Sequence, residues 1–349
     1  MINNRTAIVG AGNMGKAIAW AMESLDHDVV VLDQDEKAIF DCQKILKPSR
    51  HKFIRGTSYQ MLKECSMVIS SLPYHQNLKL ATFCIDNGIK YLDLGGCVKV
   101  SEKINEYANH KAECPVMTDL GLAPGWVNIV AENLYREYVE SKGEIPNSIT
   151  MMAGGLPQRP TNTLKYGCTW SYAGLINEYR DNCIVLINGL QDVQRGMGGF
   201  EEPVQTEIGE LEAFYTSGGA AHTIATMQRR KVPNCCYKTL RYPGHHRIVN
   251  FLIHESGLDD EALTKVFQRT CPPRDDLVIM RVAVDDLLFE RVIRSDQKFS
   301  AMQKATAFPI AAAAHTAASY DFSQPVLKYD DLGVTPFNTW LDVLFLHTY

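Results

Sequence analysis

Short apolar runs alternate with helical patterns along the first 120 or so residues of the chain. The segments TAIVGAG, DVVVLD, SMVISSLP, KYLDLGG and CPVMTDLG each have the length and apolar character of one strand. Helical stretches lie between them, the first from Asn13 to Ser24. Because a buried parallel sheet needs helices on both faces, this alternation predicts an α/β fold with a Rossmann-type, doubly wound parallel sheet.

The pattern changes after about residue 120. The segments SITMMAGGLP, DNCIVLINGL and RRKVPNCCYKTLRYPG indicate strands separated by Gly/Pro turns and long polar connections. This half is predicted to be an α+β domain with a largely antiparallel sheet, and such a sheet offers a surface for dimerisation. A third segment, DQKFSAMQKATAFPIAAAAHTAASY, is Ala-rich and predicts a helix.

Composition limits the class of protein. A chain of 349 residues exceeds the usual size of one hydrophobic core, so we expect two domains. The formal net charge of −5 argues against a protein that binds nucleic acid by neutralising phosphates. No run of about eighteen apolar residues is present, and MINNRTAIVG does not resemble a secretory signal. We therefore expect a cytoplasmic protein without a membrane segment.

The ten cysteines show no C-x-x-C spacing. In a reducing cytoplasm they are expected to be free and mostly buried thiols, and we expect no bound metal. The cysteines stand at positions 42, 65, 84, 97, 114, 168, 183, 235, 236 and 271.

The sequence GAGNMG follows the first predicted strand and opens the first predicted helix. It places Gly10, Gly12 and Gly15 in G-x-G-x-x-G spacing. Gly10 permits the tight turn, Gly12 lets the backbone approach a pyrophosphate, and Gly15 lets helix and strand pack closely. Asn13 and Met14 open the helix, whose N–H groups favour phosphate. These five residues are the predicted pyrophosphate site of a dinucleotide.

Asp33 ends the second predicted strand, eighteen residues after Gly15. A carboxylate at this place accepts hydrogen bonds from a ribose diol and repels a 2′-phosphate, which favours NAD over NADP. No arginine follows immediately, although Gln34 and Lys37 leave NADP open. We expect NAD as the cofactor.

Two further loops stand at the carboxyl ends of predicted strands, the edge at which doubly wound sheets bind ligands. One contains Ser71, Leu72 and Pro73, and the other contains Gly95 and Gly96. We assign all five residues to the cofactor site. Plain strand-to-helix turns explain the same residues equally well.

The stretch KTLRYPGHH gathers four basic side chains, Lys238, Arg241, His245 and His246, within nine positions. Taken alone it fits either a solvated turn or a small cationic pocket, and the solvated turn is the simpler interpretation. Oxidation at a carbon that carries nitrogen needs a carboxylate clamp and a group that handles protons. Arg241 suits the first task and His245 the second.

Several motifs together resemble the saccharopine dehydrogenase and lysine 6-dehydrogenase superfamily. They are GLAPGWVNIVA (121–131), AGGLP (153–157), FYTSGGAAHT (214–223), KTLRYPGH (238–245) and TAFPIAA (306–312). The resemblance spans nearly the whole chain. It implies a NAD-binding Rossmann domain at 1–120, an inserted α+β substrate and dimerisation domain at 121–300, and a C-terminal helical segment at 301–349 that returns to the Rossmann domain. It also implies a homodimer or a higher homo-oligomer.

The details of these motifs resemble the lysine 6-dehydrogenase branch. Saccharopine-forming relatives usually carry Asp where this chain has Ala123, and Asn128 follows here. The implied reaction is NAD-dependent oxidative deamination of the ε-amino group of L-lysine, or of a closely related amino acid, to the semialdehyde. Two alternatives stay open: a reductase of the saccharopine or carboxynorspermidine type that joins an amine to a carbonyl compound, and a NAD-binding regulator without turnover.

The resemblance favours Arg241 as the clamp of the substrate carboxylate and His245 as the base. Asp119, after a predicted strand, is a further catalytic candidate that orients a base or binds the amine, with a helix cap as the alternative. Tyr166 is assigned to the catalytic group and Trp170 to the substrate site, since both can line the aliphatic stem of the substrate, although large aromatics more often belong to a core.

The sequence TSGG supplies the other substrate-binding candidates, Thr216, Ser217 and Gly218. A hydroxyl and backbone N–H groups in such a turn can bind a carboxylate, while a simple glycine turn explains the same residues.

Overall fold

The structure is a computed structural model that describes residues 5–47, 50–333 and 335–347. The chain divides into two compact units. Unit 1 runs to Trp126 and resumes at Gln303, and unit 2 comprises Val127–Met302.

Strands occur in both units of the described chain. In order they are β1 (Arg5–Val9), β2 (Asp28–Asp33), β3 (Lys52–Arg55), β4 (Met67–Ser70), β5 (Lys90–Asp93), β6 (Val116–Met117), β7 (Ser148–Pro157), β8 (Cys183–Ile187), β9 (Leu190–Gln194), β10 (Glu201–Thr206), β11 (Gly209–Tyr215), β12 (Asn234–Arg241), β13 (Asp276–Val284) and β14 (Leu287–Arg294).

The α-helices, with a 3₁₀ turn at Tyr59–Glu64, complete the described elements. In order they are α1 (Asn13–Ser24), α2 (Glu36–Gln43), α3 (Tyr74–Asp86), α4 (Val98–Lys111), α5 (Trp126–Lys142), α6 (Tyr172–Arg180), α7 (Thr223–Arg229), α8 (His245–His254), α9 (Asp260–Thr270), α10 (Ala301–Ser319), α11 (Tyr329–Leu332) and α12 (Phe337–Leu346).

The sheet of unit 1 is parallel throughout, with strand order β3-β2-β1-β4-β5-β6. The order reverses between β1 and β4, and this switch point is where doubly wound sheets bind ligands. The apolar strand residues that predicted the sheet, such as Val30 and Val68, are buried in one core cluster. The predicted Rossmann-type sheet is confirmed.

The Ala-rich segment near the C-terminus forms helix α10, as its composition predicts. In unit 1 the ring of Phe308 on α10 lies 5.8 Å from the ring of Trp20 on α1 and 5.1 Å from that of Phe345 on α12. Small alanine side chains let α10 approach its neighbours closely, so the helix is almost wholly buried.

The sheet of unit 2 has the strand order β10-β11-β12-β7-β13-β14, and β8 joins β12 to β9. Its strand pairs are antiparallel except for the central pair of β12 and β7, which is parallel. The expectation of a largely antiparallel sheet therefore holds, with this one departure. Helices α6, α8 and α9 enclose a second core cluster around Tyr179 and Phe214.

The ten cysteines all lie in the described ranges and form no disulfide; seven are buried and three are partly buried. Free and mostly buried thiols are thus confirmed. Within the same ranges, no helix combines the length and apolar character that a membrane crossing needs. Among these residues, no group of three or more His, Cys, Asp or Glu side chains is placed so that it could hold a metal ion.

Candidate functional site

The glycine turn of unit 1 connects β1 to α1 at the switch point. Gly10 has φ +99°, and a Cβ there would lie 2.9 Å from the carbonyl oxygen of Ser71. A Cβ on Gly15 would lie only 1.8 Å from the carbonyl oxygen of Gly10. A Cβ on Gly12 would instead meet nothing within 4 Å. Gly10 and Gly15 are required by packing, whereas Gly12 leaves an open approach to the backbone.

This open approach fits a dinucleotide pyrophosphate. Helix α1 begins at Asn13, followed by Met14, and its first turn carries no acidic side chain and no side-chain cap. The N–H groups at such a helix start and the positive end of the helix dipole attract phosphate. Leu72 packs toward the Gly10 position, and Pro73 directly precedes α3. The candidates Ser71 and Leu72 are thus beside the turn.

Asp33 accepts two hydrogen bonds, one of them from the glycine turn. The Ala11 N–H donates to Oδ2 at 2.6 Å, and the Asp35 N–H donates to Oδ1 at 2.8 Å. Lys37, the cation that left NADP open, pairs with Asp41 at 2.8 Å. A carboxylate fixed at this place can accept hydrogen bonds from a ribose diol of a dinucleotide.

We expect Asp33→Asn to raise the affinity for NADP relative to NAD by about tenfold, because it removes about 1.4 kcal/mol of charge repulsion. Asparagine keeps the size of the side chain and one acceptor oxygen. Titration of the variant with each cofactor measures the ratio. Asp28→Asn, at the other end of β2, is the matched control and should leave the ratio unchanged. An unchanged ratio in Asp33→Asn would contradict selection by this carboxylate.

Asp119 and Asp93 form a buried carboxylate pair at the carboxyl edge of the sheet. Asp93 accepts hydrogen bonds from the Tyr91 hydroxyl at 2.9 Å and the Gly95 N–H at 2.8 Å. The Ser101 hydroxyl donates to Asp119 Oδ1 at 2.8 Å. Burial raises the pKa of both carboxyls, and the charge of Asp93 raises that of Asp119 further. The pair is a candidate proton acceptor, which the spacing of the sequence did not indicate.

The two glycines of this edge both have positive φ, +76° for Gly95 and +113° for Gly96. A Cβ on Gly95 would lie 2.1 Å from Oδ1 of Asp119, and one on Gly96 would lie 3.3 Å from the Cβ of Tyr74. Gly95 thus makes room for the Asp119 carboxylate. Its assignment, and that of Gly96, to the cofactor site stays a prediction.

The carboxylate pair predicts a stability that falls as pH rises. A carboxyl with a raised pKa in the folded state stabilises the fold below its unfolded pKa of about 3.9, and this contribution is lost as pH rises through the raised pKa. Each unit of raised pKa corresponds to about 1.4 kcal/mol. We expect Asp119→Asn to flatten the decline of Tm between about pH 4.5 and 8, and asparagine tolerates the φ of +63° at this position.

The control for this measurement is Asp26→Asn. Asp26 also has positive φ, at +65°, but it is exposed, and its pKa is lowered by Arg50. Its replacement should leave the slope of Tm against pH unchanged above pH 4.5 or so. A wild-type Tm that is constant or rises across this range would contradict the prediction.

Arg241 in unit 2 is a buried cation, with 3% of its surface exposed. Its Nε donates to the Tyr179 hydroxyl at 2.7 Å, and its Nη1 donates to Thr239 Oγ1 at 2.9 Å and to the Leu240 carbonyl at 2.8 Å. The guanidinium lies 4.6 Å from the centre of the Tyr166 ring. These contacts fix the plane of the guanidinium.

No carboxylate among the described residues forms an ion pair with Arg241, and its Nη2 hydrogen bonds to none of them. A buried charge without a counterion costs several kcal/mol. An anionic ligand at Nη2 would remove that cost. The geometry therefore supports the predicted carboxylate clamp.

His245 lies beside Arg241 and is fully buried. The Leu164 carbonyl accepts a bond at 2.8 Å from Nδ1, so Nδ1 carries the proton and Nε2 accepts from the Tyr179 hydroxyl at 3.1 Å. Burial and the Arg241 cation lower the pKa of His245 to about 3. With both nitrogens engaged, the ring has no free atom for a substrate proton. Its geometry suits a positioning role, through Tyr179 on Arg241, rather than the predicted base.

The remaining basic residues of KTLRYPGHH have structural partners. Lys238 pairs with Glu201 at 2.8 Å. His246 Nε2 contacts the Met197 carbonyl at 2.7 Å, and its backbone N–H donates to Glu212. Of the four basic residues of this stretch, only Arg241 and His245 belong to the buried cluster.

Tyr166 and Trp170 lie together in the same unit, since the Trp170 Nε1–H donates to the Tyr166 hydroxyl at 3.2 Å. Tyr166 is buried, and its ring faces Arg241. Tyr166 therefore frames the guanidinium, and Trp170 holds the Tyr166 hydroxyl. Tyr179, which bonds both Arg241 and His245, was missed from the sequence. Its place after Leu175 on one apolar face of α6 indicated burial but not a partner.

The TSGG turn is tied to the end of α6. The Ser217 N–H donates to the Glu178 carbonyl at 2.9 Å, and the Ser217 hydroxyl donates to the Asn177 carbonyl at 3.3 Å. Gly218 has φ +88° and makes the turn. Thr216 is 2% exposed, and its hydroxyl has no hydrogen-bond partner among the described residues. Of the three, Thr216 has the clearest capacity to bind a ligand.

Comparisons with known proteins agree with this architecture. A family model described as "Saccharopine dehydrogenase NADP binding domain" matches residues 6–117. A second, described as "Saccharopine dehydrogenase C-terminal domain", matches residues 121–330. The glycine turn lies in the first match and the Arg241 cluster in the second.

Three solved structures are similar to this chain, and the first of them shows the same fold. Apo saccharopine dehydrogenase (L-Glu forming) from Saccharomyces cerevisiae is 15% identical with a TM-score of 0.72, over 98% of this chain and 96% of that chain. GenD2 from gentamicin A biosynthesis, in complex with NAD, is 12% identical with a TM-score of 0.46, over 98% and 92%. An amine dehydrogenase from Mycobacterium smegmatis is 8% identical with a TM-score of 0.47, over 93% and 95%. Since the two family models together match most of the sequence, the chain belongs to the saccharopine dehydrogenase family.

Proposed function

We propose that the protein oxidises the ε-amino carbon of L-lysine, or of a closely related amino acid, with NAD as the oxidant, and that water then hydrolyses the imine to the semialdehyde and ammonia. Family membership supports the broader statement, an oxidoreductase of amino-acid-related substrates that uses a nicotinamide dinucleotide. The observation that carries the finer proposal is the buried Arg241 without a carboxylate partner among the described residues. A substrate carboxylate at Nη2 would give the guanidinium a counterion and give Nη2 a hydrogen-bond acceptor.

The cofactor, when bound, supplies the hydride acceptor. For its binding, the proposal assigns the pyrophosphate to the backbone at Gly12 and the start of α1, and the adenosine ribose to Asp33. The negative charge of Asp33 favours NAD, although the matching family model is named for NADP. The residues present thus fit a dinucleotide.

Arg241 is proposed to hold the substrate by its α-carboxylate. Tyr179 and His245 form a hydrogen-bonded chain behind the guanidinium, and this chain keeps the Nη2 edge in one orientation. A fixed carboxylate restricts where the other end of the amino acid can react. Arg241 therefore orients the substrate and takes no part in bond breaking or proton transfer.

The ε-ammonium must lose a proton before oxidation, because its ordinary pKa is about 10.4. Asp119 of unit 1 is retained as a catalytic candidate, since a buried carboxylate with a raised pKa takes a proton more readily than an ordinary aspartate. His245 suits this step less well, because its ring nitrogens are both hydrogen bonded.

An assay of the purified protein with L-lysine and either NAD or NADP tests the proposal. We expect reduced cofactor and ammonia in equal amounts, and faster turnover with NAD. L-Ornithine tests the length of the substrate. If no amino acid reduces either cofactor, the deamination proposal fails. Oxidation of NADH with an added amine and carbonyl compound would then identify a reductase, and NAD binding without turnover would identify a regulator.

A further inference from the structure

Glu178 is an acidic residue near the end of α6. Its carboxylate forms neither a hydrogen bond nor an ion pair with any described residue, although the side chain is half-buried. Its own carbonyl oxygen accepts the Ser217 N–H at 2.9 Å, so Glu178 lies directly beside the TSGG turn. A half-buried carboxylate without a partner is costly unless a ligand supplies one.

The neighbours of Glu178 lie on one face of β12. Because side chains alternate along a strand, Tyr237, Thr239 and Arg241 point to the same side. A Cβ on Gly219 of the TSGG turn would lie 2.3 Å from the Tyr237 ring, so the turn covers this face. Tyr179, the residue after Glu178, bonds Arg241 from the same helix. The charge of Glu178 acts on both Tyr237 and Arg241, so the Glu178 carboxylate lies near the same face.

The two charges interact without forming a pair. Burial raises the pKa of the Glu178 carboxyl to about 7, and the attraction of Arg241 opposes this rise. The two side chains thus lie within electrostatic reach, yet no ion pair forms between them. A cation and an anion held apart in this way can each accept one end of a ligand that carries both charges.

We propose that Glu178 and Arg241 together recognise the α-amino-acid head group, with Arg241 binding the α-carboxylate and Glu178 the α-ammonium. The inference rests on the proposed function, in which Arg241 holds the substrate carboxylate. The buried Thr216 hydroxyl, next to Ser217, lacks a partner among the described residues and can bond the same head group. Glu178 makes the site specific for amino acids over simple carboxylic acids.

L-Norleucine and hexanoate form a matched pair of probes, because they differ only in the α-ammonium group and neither carries an ε-amine that can react. Isothermal titration calorimetry of the full-length protein with NAD present measures both affinities. We expect norleucine to bind about ten- to a hundredfold more tightly than hexanoate, the range of one hydrogen bond to a charged group. Equal affinities in the wild-type protein would overturn the inference without any variant.

Glu178→Gln removes the charge at constant size. The expected result is a loss of norleucine affinity by about ten- to a hundredfold, with hexanoate affinity unchanged. Asp181→Asn is the matched control, because Asp181 is an exposed acid three residues further along the chain. Norleucine binding that survives in Glu178→Gln, or an equal loss for both probes, would overturn the proposal; the equal loss would assign Glu178 to the positioning of Arg241.

Kinetics with L-lysine separate this inference from the proposed function. An α-ammonium partner predicts a raised KM with kcat nearly unchanged in Glu178→Gln, whereas loss of kcat alone would make Glu178 the proton acceptor and overturn the inference. Norleucine binding that depends on Glu178, without any lysine turnover, would remove the proposed reaction and keep the head-group site. Lysine turnover that is unchanged in Glu178→Gln would keep the proposed reaction and overturn the head-group site.

Discussion

Arg241→Gln is expected to lower kcat/KM for L-lysine by about 10²–10³, while the Tm of the ligand-free protein stays the same or rises. Removing one partner of a buried, hydrogen-bonded charge pair costs about 3–4 kcal/mol, which is the loss expected in the substrate complex. In the ligand-free protein the guanidinium has no counterion among the described residues, so replacing it with a neutral amide removes a buried charge. Steady-state kinetics and thermal denaturation measure the two effects.

Lys238→Gln is the matched control for Arg241→Gln. It removes a cation from the same strand, three residues away, but Lys238 is already paired with Glu201. Its activity should stay within about twofold of the wild type, since side chains alternate along a strand and Lys238 points away from the Arg241 face. Activity retained in Arg241→Gln, or an equal loss in both variants, would exclude a specific carboxylate clamp.

The second large effect is expected at the glycine turn, where one Gly→Ala substitution should lower the stability of the fold and another should lower the affinity for NAD. Gly15→Ala places a Cβ 1.8 Å from the carbonyl oxygen of Gly10, so α1 must move and the fold should lose about 3 kcal/mol. Gly12→Ala meets nothing within 4 Å, so its Tm should stay near that of the wild type. Its methyl group instead occupies the approach of the pyrophosphate, and NAD affinity should fall at least about a hundredfold.

Thermal denaturation and titration with NADH followed by fluorescence distinguish the two variants. Gly209→Ala would be a poor comparison because Gly209 has φ +105°, whereas Gly12 has an ordinary negative φ of −64°. The clean contrast is therefore between Gly12 and Gly15 themselves. Normal NAD binding by a folded Gly12→Ala variant would place the dinucleotide elsewhere.

The sequence predicted well those features that depend on neighbouring residues. The valine-rich runs and the G-x-G-x-x-G spacing indicated the parallel sheet and its turn, because periodicity and turn chemistry act over a few residues. The same local character explains why α1 begins at Asn13 and why Asp33 ends β2. The parallel pairing of β12 with β7 was not predicted, since it joins segments about eighty residues apart.

The predicted roles around Arg241 depended on contacts that no local pattern shows. Sequence patterns and family resemblance identified Arg241 and His245 as candidates, but they assigned the proton to His245. In the structure Leu164 and Tyr179 occupy both nitrogens of that ring, from positions 81 and 66 residues away in the chain. Burial then keeps the ring neutral, because an apolar environment disfavours a charged imidazole.

The amino-acid sequence by itself determined the doubly wound sheet, the dinucleotide turn and the family of this protein, since these follow from the spacing of residues and from contiguous motifs. Only the tertiary structure decided which charges are paired. It left Arg241 and Glu178 without ion-pair partners among the described residues and gave Lys238 and His246 ordinary structural contacts. Desolvation and pairing are set by residues that are distant in the chain and close in space, so the chemical state of a side chain follows from the fold.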